Sequence, residues 1–129
     1  MSNNKVVLIT GATSGMGELT ASYLASNGYI VYAGTRNKDN LESDNENINY
    51  IYLDVTKTQT IKEAINLVIK KEGKIDVLVN NAGYGLLATI EEGTDEEMFN
   101  QFDVNVFGLI KTTREVLPYM REAKQGVII

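Results

Sequence analysis

Residues 5–28 read KVVLITGATSGMGELTASYLASNG, which is an apolar strand, a glycine-rich turn and an amphipathic helix in succession. The apolar run at 5–9 predicts the strand, and the spacing from 15 to 27 predicts a helix that Gly28 ends. The first N–H groups of a helix have no backbone partner and carry partial positive charge, so they can hold a phosphate. This unit therefore predicts a nucleotide site.

The glycines of the turn follow the spacing Gly-x-x-x-Gly-x-Gly rather than the commoner Gly-x-Gly-x-x-Gly. Glycine lets the backbone turn sharply, approach a pyrophosphate and pack the helix closely against the strand. The candidate cofactor-binding residues of the turn are Thr10, Gly11, Thr13, Ser14, Gly15, Met16 and Gly17. No Gly-Lys-Ser or Gly-Lys-Thr follows, which excludes the lysine-bearing phosphate loop. A turn without a ligand and a methyltransferase-like domain, which also places glycines after its first strand, remain as alternatives.

The composition of the 129-residue chain limits the chemistry open to it. With neither cysteine nor histidine, the chain lacks thiolate metal sites and the commonest general base and metal ligand, so no metal site is expected. The net charge of −5 argues against nucleic acid as a partner. The apolar run near the N-terminus is too short for a signal-peptide core or a membrane span, which predicts a cytoplasmic protein.

Strands and helices alternate along the remainder of the chain. Further strands are predicted at 29–33, 48–53, 75–80 and 126–129. Between them, helices are predicted near Leu41, after a capping box of Thr56 and Gln59, and from a second capping box, Thr94 with Glu97, to about residue 124. Pro118 lies inside the last helix and predicts a kink or a locally open turn. The predicted core face of the preceding helix consists of Ile61, Ala64, Ile65, Val68 and Ile69.

This alternation predicts an α/β fold, a single Rossmann-type dinucleotide-binding domain over residues 1–129 with a doubly wound parallel sheet of about five strands. The carboxyl ends of parallel strands share one edge, so the segments that follow them can line one crevice. These segments are the glycine turn, Thr35-Arg36, Asp54-Val55 and Asn80-Asn81-Ala82-Gly83, of which Asn81, Ala82 and Gly83 are the candidate cofactor-binding residues. They suit, in that order, a pyrophosphate, a ribose, an adenine and the ribose beside a nicotinamide. Without a cofactor, Arg36 would be a solvated surface residue, Asp54 would lead into the next helix, and residues 80–83 would form a simple turn.

The pair Thr35-Arg36 indicates which dinucleotide the crevice takes. A carboxylate at the end of the second strand would bind a ribose 2′-hydroxyl and repel a 2′-phosphate. Here Thr35 is neutral, and Arg36 offers a planar guanidinium suited to phosphate. The sequence therefore predicts NADP(H) in preference to NAD(H). Arg36 in place of an acidic ribose partner also counts against the methyltransferase-like alternative.

Together with residues 102–108, which read FDVNVFG, these segments resemble the short-chain dehydrogenase/reductase family. Residues 84–86 and 116–121 are similar to the family as well. The resemblance implies NAD(P)-dependent hydride transfer between an alcohol and a carbonyl in a small-molecule substrate, with Thr35-Arg36 similar to the NADP(H)-preferring members. It further implies that Asn105 is the family's catalytic asparagine, which supports a water in a proton relay, and that the full-length parent forms a homo-oligomer.

The rest of the family's catalytic set is missing from the chain. The family uses a serine after the fifth strand and a tyrosine that precedes a lysine by four positions. None of the seven tyrosines has lysine four positions later, and the last serine is Ser43. The chain is therefore expected to be the cofactor-binding N-terminal part of a member, incomplete from the fifth strand onward and inactive by itself. A non-catalytic nucleotide-binding module is the alternative.

Overall fold

The computed structural model describes residues 4–39 and 41–129. Strands and helices alternate in it as the sequence predicts. In chain order the elements are β1 (Val6–Ile9), α1 (Gly15–Ser26), β2 (Ile30–Thr35), β3 (Ile48–Tyr52), α2 (Thr58–Glu72), β4 (Val77–Val79), α3 (Asp95–Phe102), a π-helical turn (Asp103–Gly108), α4 (Leu109–Ala123) and β5 (Val127–Ile128).

The strands form one five-stranded sheet in the order β3-β2-β1-β4-β5. Every neighbouring pair is parallel, with Leu8 of β1 opposite Tyr32 of β2 on one side and Leu78 of β4 on the other. The predicted α/β class with a Rossmann-type sheet is confirmed. The chain leaves β1 toward β2 and later returns to the other side of β1 as β4. Such a reversal opens a crevice at the carboxyl ends of the strands.

Two hydrophobic layers cover the two faces of the sheet. Along β1 the side chains alternate, so Val6 and Leu8 join the layer under α2 and α4 while Val7 and Ile9 join the layer under α1. Four of the five predicted core positions of α2 are buried, and Ile69 is half-buried against the same cluster. Both faces of β1 are therefore buried, which explains its continuous apolar sequence.

The structure corrects the prediction of a helix near Leu41. The described residues between β2 and β3, 36–39 and 41–47, form bends and turns but no helix; Asn40 lies outside the described residues. Polar side chains take the backbone N–H groups here: the Asn45 N–H donates to Ser43 Oγ (3.1 Å), and the Asn47 N–H donates to Asn45 Oδ1 (2.9 Å). Such local hydrogen bonds compete with helix formation.

The predicted capping box of Thr56 and Gln59 is wrong. The α2 helix begins at Thr58, and the Thr56 hydroxyl instead donates to Asp54 Oδ1 at 2.7 Å. Asp54 Oδ1 also accepts from the Thr56 N–H at 3.0 Å, so Asp54 and Thr56 form a turn ahead of the helix, and Lys57 occupies the N-cap position. Gln59 donates to Glu63 in the next turn.

The second capping box is confirmed, because the Glu97 N–H donates to Thr94 Oγ1 and the Thr94 N–H donates to Glu97 Oε2. The helical region that follows contains a feature the sequence did not predict, the π-turn between α3 and α4. Beyond it, α4 continues through Pro118 to Ala123.

Candidate functional site

A cleft of about 490 Å³ lies at the carboxyl edge of the sheet. It brings together the ends of β1, β2, β3 and β4, as predicted from the strand order. All predicted cofactor-binding residues except Thr10 and Gly17 line it: Gly11, Thr13, Ser14, Gly15, Met16, Thr35, Arg36, Asp54, Val55, Asn81, Ala82 and Gly83. The sequence analysis missed four lining residues: Asn37, Leu53, Tyr84 and Val104.

The glycine turn forms the wall beside β1. Gly11 has a φ of 61°, and a Cβ there would lie 2.9 Å from Ala82 Cα. Gly17 lies behind the wall, where a Cβ would collide with Asn81 Nδ2 and come within 2.7 Å of the Gly11 carbonyl oxygen. These glycines are therefore required by close backbone packing as well as by conformation. Ser14 precedes α1 without a side-chain cap to any described residue, so the first N–H groups of α1 remain open toward the cleft.

Thr10 and Asn81 fasten the glycine turn to the segment after β4. The buried Thr10 Oγ1 accepts from the Asn81 N–H (3.1 Å) and the Ala82 N–H (2.9 Å). In return, Asn81 Nδ2 donates to the Thr10 carbonyl (3.1 Å) and the Gly11 carbonyl (2.9 Å). These four hydrogen bonds join two cleft walls that are about seventy residues apart in sequence. They also occupy the amide nitrogen of Asn81, which leaves Oδ1 for a ligand.

The wall beside β2 carries the positive charge of the cleft. Arg36 is exposed and makes no hydrogen bond or ion pair with any residue in the described ranges. Thr35 is buried, and its Oγ1 accepts from the Asn37 N–H at 3.0 Å. The Lys38 ammonium turns to the ring of Tyr52, whose centroid lies 4.5 Å away. Of the charged groups in this loop, Arg36 therefore faces the cleft unpaired.

Asp54 occupies the end of β3 and is the acidic residue among the described residues that line the cleft. Its Oδ1 accepts from the Thr56 N–H (3.0 Å) and hydroxyl (2.7 Å), and its Oδ2 lies 3.9 Å from the Lys57 ammonium. One oxygen therefore stabilises the turn into α2, and the other retains room for a further donor. The predicted adenine contact and the plain turn-forming role are compatible at this residue.

Asn105 lies in the π-turn, behind the Gly83–Tyr84 wall of the cleft. Its Oδ1 accepts from the Tyr84 N–H (2.9 Å), and its Nδ2 donates to the Tyr84 carbonyl (2.6 Å). A Cβ on Gly83 would lie 3.0 Å from Asn105 Oδ1, so the two segments touch. The amide keeps one lone pair and one N–H beyond these contacts, which is enough to hold a water. Single π-turns are frequent at functional sites, and the catalytic role of Asn105 stays a prediction.

Tyr32, which precedes Arg36 by four positions, is turned away from the cleft. The Tyr32 hydroxyl donates to Glu72 Oε1 at 2.7 Å. Burial, reinforced by the hydrogen bond and the charge of Glu72, raises the pKa of the Tyr32 phenol well above its usual range. A general acid/base needs the opposite shift, so Tyr32 is no substitute for a catalytic tyrosine.

Within residues 4–39 and 41–129, no three carboxylate, thiol or imidazole groups lie close enough to hold a metal ion. In the same ranges, no helix has the length and apolar character needed to cross a membrane.

Comparison with known proteins matches the whole of this architecture to one family. A family model described as short chain dehydrogenase matches residues 5–129. The chain is 41% identical over 128 residues to the 3-ketodihydrosphingosine reductase of Bacteroides thetaiotaomicron, with 97% of this chain and 45% of the relative covered.

Solved structures give the same result. A short-chain dehydrogenase from Streptomyces avermitilis superposes with a TM-score of 0.92 at 35% identity, over 99% of this chain and 48% of the other. ElxO with NADP bound superposes with a TM-score of 0.90 at 32% identity, over 97% of this chain and 54% of the other. The chain spans about half the length of the relatives it matches.

Proposed function

Since the chain belongs to the short-chain dehydrogenase family, we propose that its cleft binds NADP(H) in preference to NAD(H) for hydride transfer between an alcohol and a carbonyl. The observation that carries the proposal is the Arg36 guanidinium at the end of β2, which lines the cleft and has no partner among the residues that the structure describes. Membership in this family of oxidoreductases sets aside the methyltransferase-like alternative.

The charge of the cleft supports a cofactor with an additional phosphate. The carboxylate of an NAD(H)-preferring site would stand at the end of β2, where this chain has Thr35 and Arg36. Asp54 stands one strand farther out and is already engaged with Thr56. A guanidinium bound to a phosphate contributes roughly 1.5–3 kcal/mol, about tenfold to a hundredfold in affinity.

The remaining walls fit the other parts of the same cofactor. The open N-terminus of α1 suits the pyrophosphate, since backbone N–H groups and the helix dipole both favour an anion there. We assign the adenine to Asp54 and Val55, and the nicotinamide-side ribose to residues 81–83. The nicotinamide supplies the hydride when the cofactor is bound. In this assignment Asn105 fixes the Tyr84 backbone at that end of the cleft and holds a water for proton transfer.

Calorimetry with NADPH and NADH tests the preference. The 129-residue chain is expected to bind NADPH about tenfold or more tightly than NADH, and Arg36→Asp is expected to reverse this order. Lys38→Asp is the matched control, because it makes the same change in charge in the same loop but removes a cation that lies over Tyr52. Equal affinity of the unaltered chain for both cofactors would refute the proposal, and so would a reversal produced equally by the control.

We further propose that the 129-residue chain binds cofactor without turning over substrate. The support is that none of its seven tyrosines precedes a lysine by four positions, and a tyrosine with a pKa near 10 needs such a positive neighbour at neutral pH. Negligible NADPH oxidation is expected with a panel of small carbonyl compounds. Robust oxidation by the purified chain would contradict this and would also remove the non-catalytic binding module as an alternative.

The surface formed by α3, the π-turn and α4 carries exposed apolar side chains that bear on the oligomeric state. Phe99, Phe102, Phe107 and Ile110 are exposed there, an amount of apolar surface typical of an interface. This supports a homo-oligomer for the full-length parent, which sedimentation analysis of that protein would test. A cytoplasmic location and the lack of a nucleic-acid partner stay predictions.

A further inference from the structure

The chain contains sulfur only as methionine, because it has four methionines and no cysteine. An oxidant such as a peroxide therefore meets thioethers where another protein would offer a thiolate. Access to the thioether differs widely among the three methionines that the structure describes. Met16 is 79% exposed, Met98 is 48% exposed and Met120 is 6% exposed.

Met16 combines the greatest exposure of the three with a place in the cleft. It is the second residue of α1 and lines the cleft beside Gly15. Side chains of a helix lean toward its N-terminus, so the thioether lies over the turn whose N–H groups are open. Met98 lies on α3 and Met120 lies in the core under α4, and neither is among the described residues that line the cleft. Sulfur oxidation in the cleft is therefore oxidation of Met16.

We propose that Met16 is a modification site, at which hydrogen peroxide converts the thioether to a sulfoxide and so lowers the affinity of the cleft for NADP(H). One oxygen atom passes from the peroxide to Sδ. The O–O bond breaks and an S–O bond forms, sulfur is oxidised by two electrons, and the peroxide is reduced to water. This inference rests on the proposed function and adds a means of regulation to the same site.

The product of this reaction is suited to weakening the binding of an anion. A thioether is apolar, whereas the sulfoxide oxygen is a polar acceptor that carries partial negative charge. Beside the first turn of α1, that oxygen competes for the open N–H groups assigned to the pyrophosphate, and its charge has the same sign as that of the phosphates. The loss of about one hydrogen bond corresponds to roughly threefold to tenfold in affinity.

Peroxide treatment of the 129-residue chain tests the proposal. The unaltered chain, Met16→Leu and Met98→Leu are treated with hydrogen peroxide, peptide mass spectrometry quantifies the sulfoxide at each methionine, and circular dichroism verifies the fold. Calorimetry then gives the dissociation constant for NADP⁺, and each protein is compared with its own untreated sample. Met98→Leu is the matched control, because it removes an exposed thioether that lies outside the cleft.

Met16 is expected to oxidise faster than Met120, and its oxidation is expected to weaken NADP⁺ binding by about threefold to tenfold in the unaltered chain and in Met98→Leu. Peroxide is expected to leave the dissociation constant of Met16→Leu at its untreated value, because leucine has no sulfur. Bound NADP⁺ is expected to slow the oxidation of Met16 but not that of Met98, a measurement that needs no variant. Methionine sulfoxide reductases with a dithiol as reductant, which release the oxygen as water, are expected to restore the original affinity.

The outcomes separate this inference from the proposal beneath it. If oxidised Met16 leaves the dissociation constant unchanged, or if peroxide weakens binding by Met16→Leu equally, the inference is wrong and the proposed function stands. If bound NADP⁺ does not slow the oxidation of Met16, the cofactor does not cover this side chain, and the inference is again wrong. If the untreated chain binds no NADP⁺, the proposed function fails and this inference fails with it.

Discussion

Replacing Thr10 by valine tests whether a single hydroxyl holds the two walls of the cleft together. Thr10 is 1% exposed, and its Oγ1 accepts from the backbone N–H groups of Asn81 and Ala82. Valine has almost the same shape but no acceptor. Thr10→Val therefore leaves the Ala82 N–H without its partner. The Asn81 N–H keeps the Val79 carbonyl oxygen at 3.0 Å, and the packing around both groups is preserved.

The magnitude follows from the Ala82 N–H. An unsatisfied buried donor costs about 1–3 kcal/mol, and the loss of the second acceptor of the Asn81 N–H adds a smaller cost. Asn81 and Ala82 are half-buried rather than fully buried, so water reaches part of the freed surface. The valine methyl also recovers about 0.8 kcal/mol of apolar burial. We therefore expect the free energy of unfolding to fall by about 1–2 kcal/mol.

Thr112→Val provides the matched control. Thr112 is also buried, but its hydroxyl donates to the Gly108 carbonyl at 2.8 Å and accepts no backbone N–H among the described residues. A carbonyl with two lone pairs tolerates the loss of one donor, so we expect Thr112→Val to lower the free energy of unfolding by less than about 1 kcal/mol. Urea unfolding followed by circular dichroism gives both values, with the slope unchanged. If Thr10→Val destabilises no more than Thr112→Val, the cross-wall hydrogen bonds do not hold the cleft as argued.

Two further substitutions probe the close packing of the turn and the opposite edge of the sheet. Gly17→Ala drives a Cβ into the Asn81 amide, so we expect the free energy of unfolding to fall by about 1–3 kcal/mol and NADPH binding to weaken. Urea unfolding and titration measure the two effects. The control is Gly85→Ala, where a Cβ meets nothing within 4 Å, and it should change neither quantity. Asp76→Ala removes the carboxylate that accepts the Val6 N–H at 2.8 Å, so the free energy of unfolding should fall by about 1–3 kcal/mol. The NADPH dissociation constant should stay the same, because this contact lies at the amino edge of the sheet, away from the cleft. A matching loss of NADPH affinity would show that the two edges are coupled.

The periodic parts of the fold could be predicted because local patterns dictate them. The continuous apolar runs of β1 and β4 are typical of strands that are covered on both faces, and the helical spacing of α2 is typical of a helix that is buried on one face. The capping box of Thr94 was predictable for the same reason, since both of its hydrogen bonds close within three residues. The box at Thr56 was wrong because Asp54 accepts from both the Thr56 N–H and the Thr56 hydroxyl, which holds Thr56 in a turn before the helix begins at Thr58.

The residues that line the cleft were predictable where strand order alone brings them together. Because the carboxyl ends of parallel strands share an edge, Arg36 and Asp54 could be assigned to one crevice before any distance was known. Asn37 and Tyr84, which also line the cleft, were missed because strand order does not indicate how far the loop after each strand extends along the cleft.

The sequence by itself therefore determined the alternation of strands and longer helices, the family and the edge of the sheet that carries the cleft, since each depends on periodicity, motif spacing or strand order. The tertiary structure decided how the walls of the cleft are joined. The Thr10 hydroxyl meets the Asn81 backbone from 71 residues away, and the Asn105 amide meets Tyr84 from 21 residues away. These contacts arise when parallel strands and the π-turn bring distant backbone together, and the hydrogen-bonding needs of buried N–H groups then select the partners.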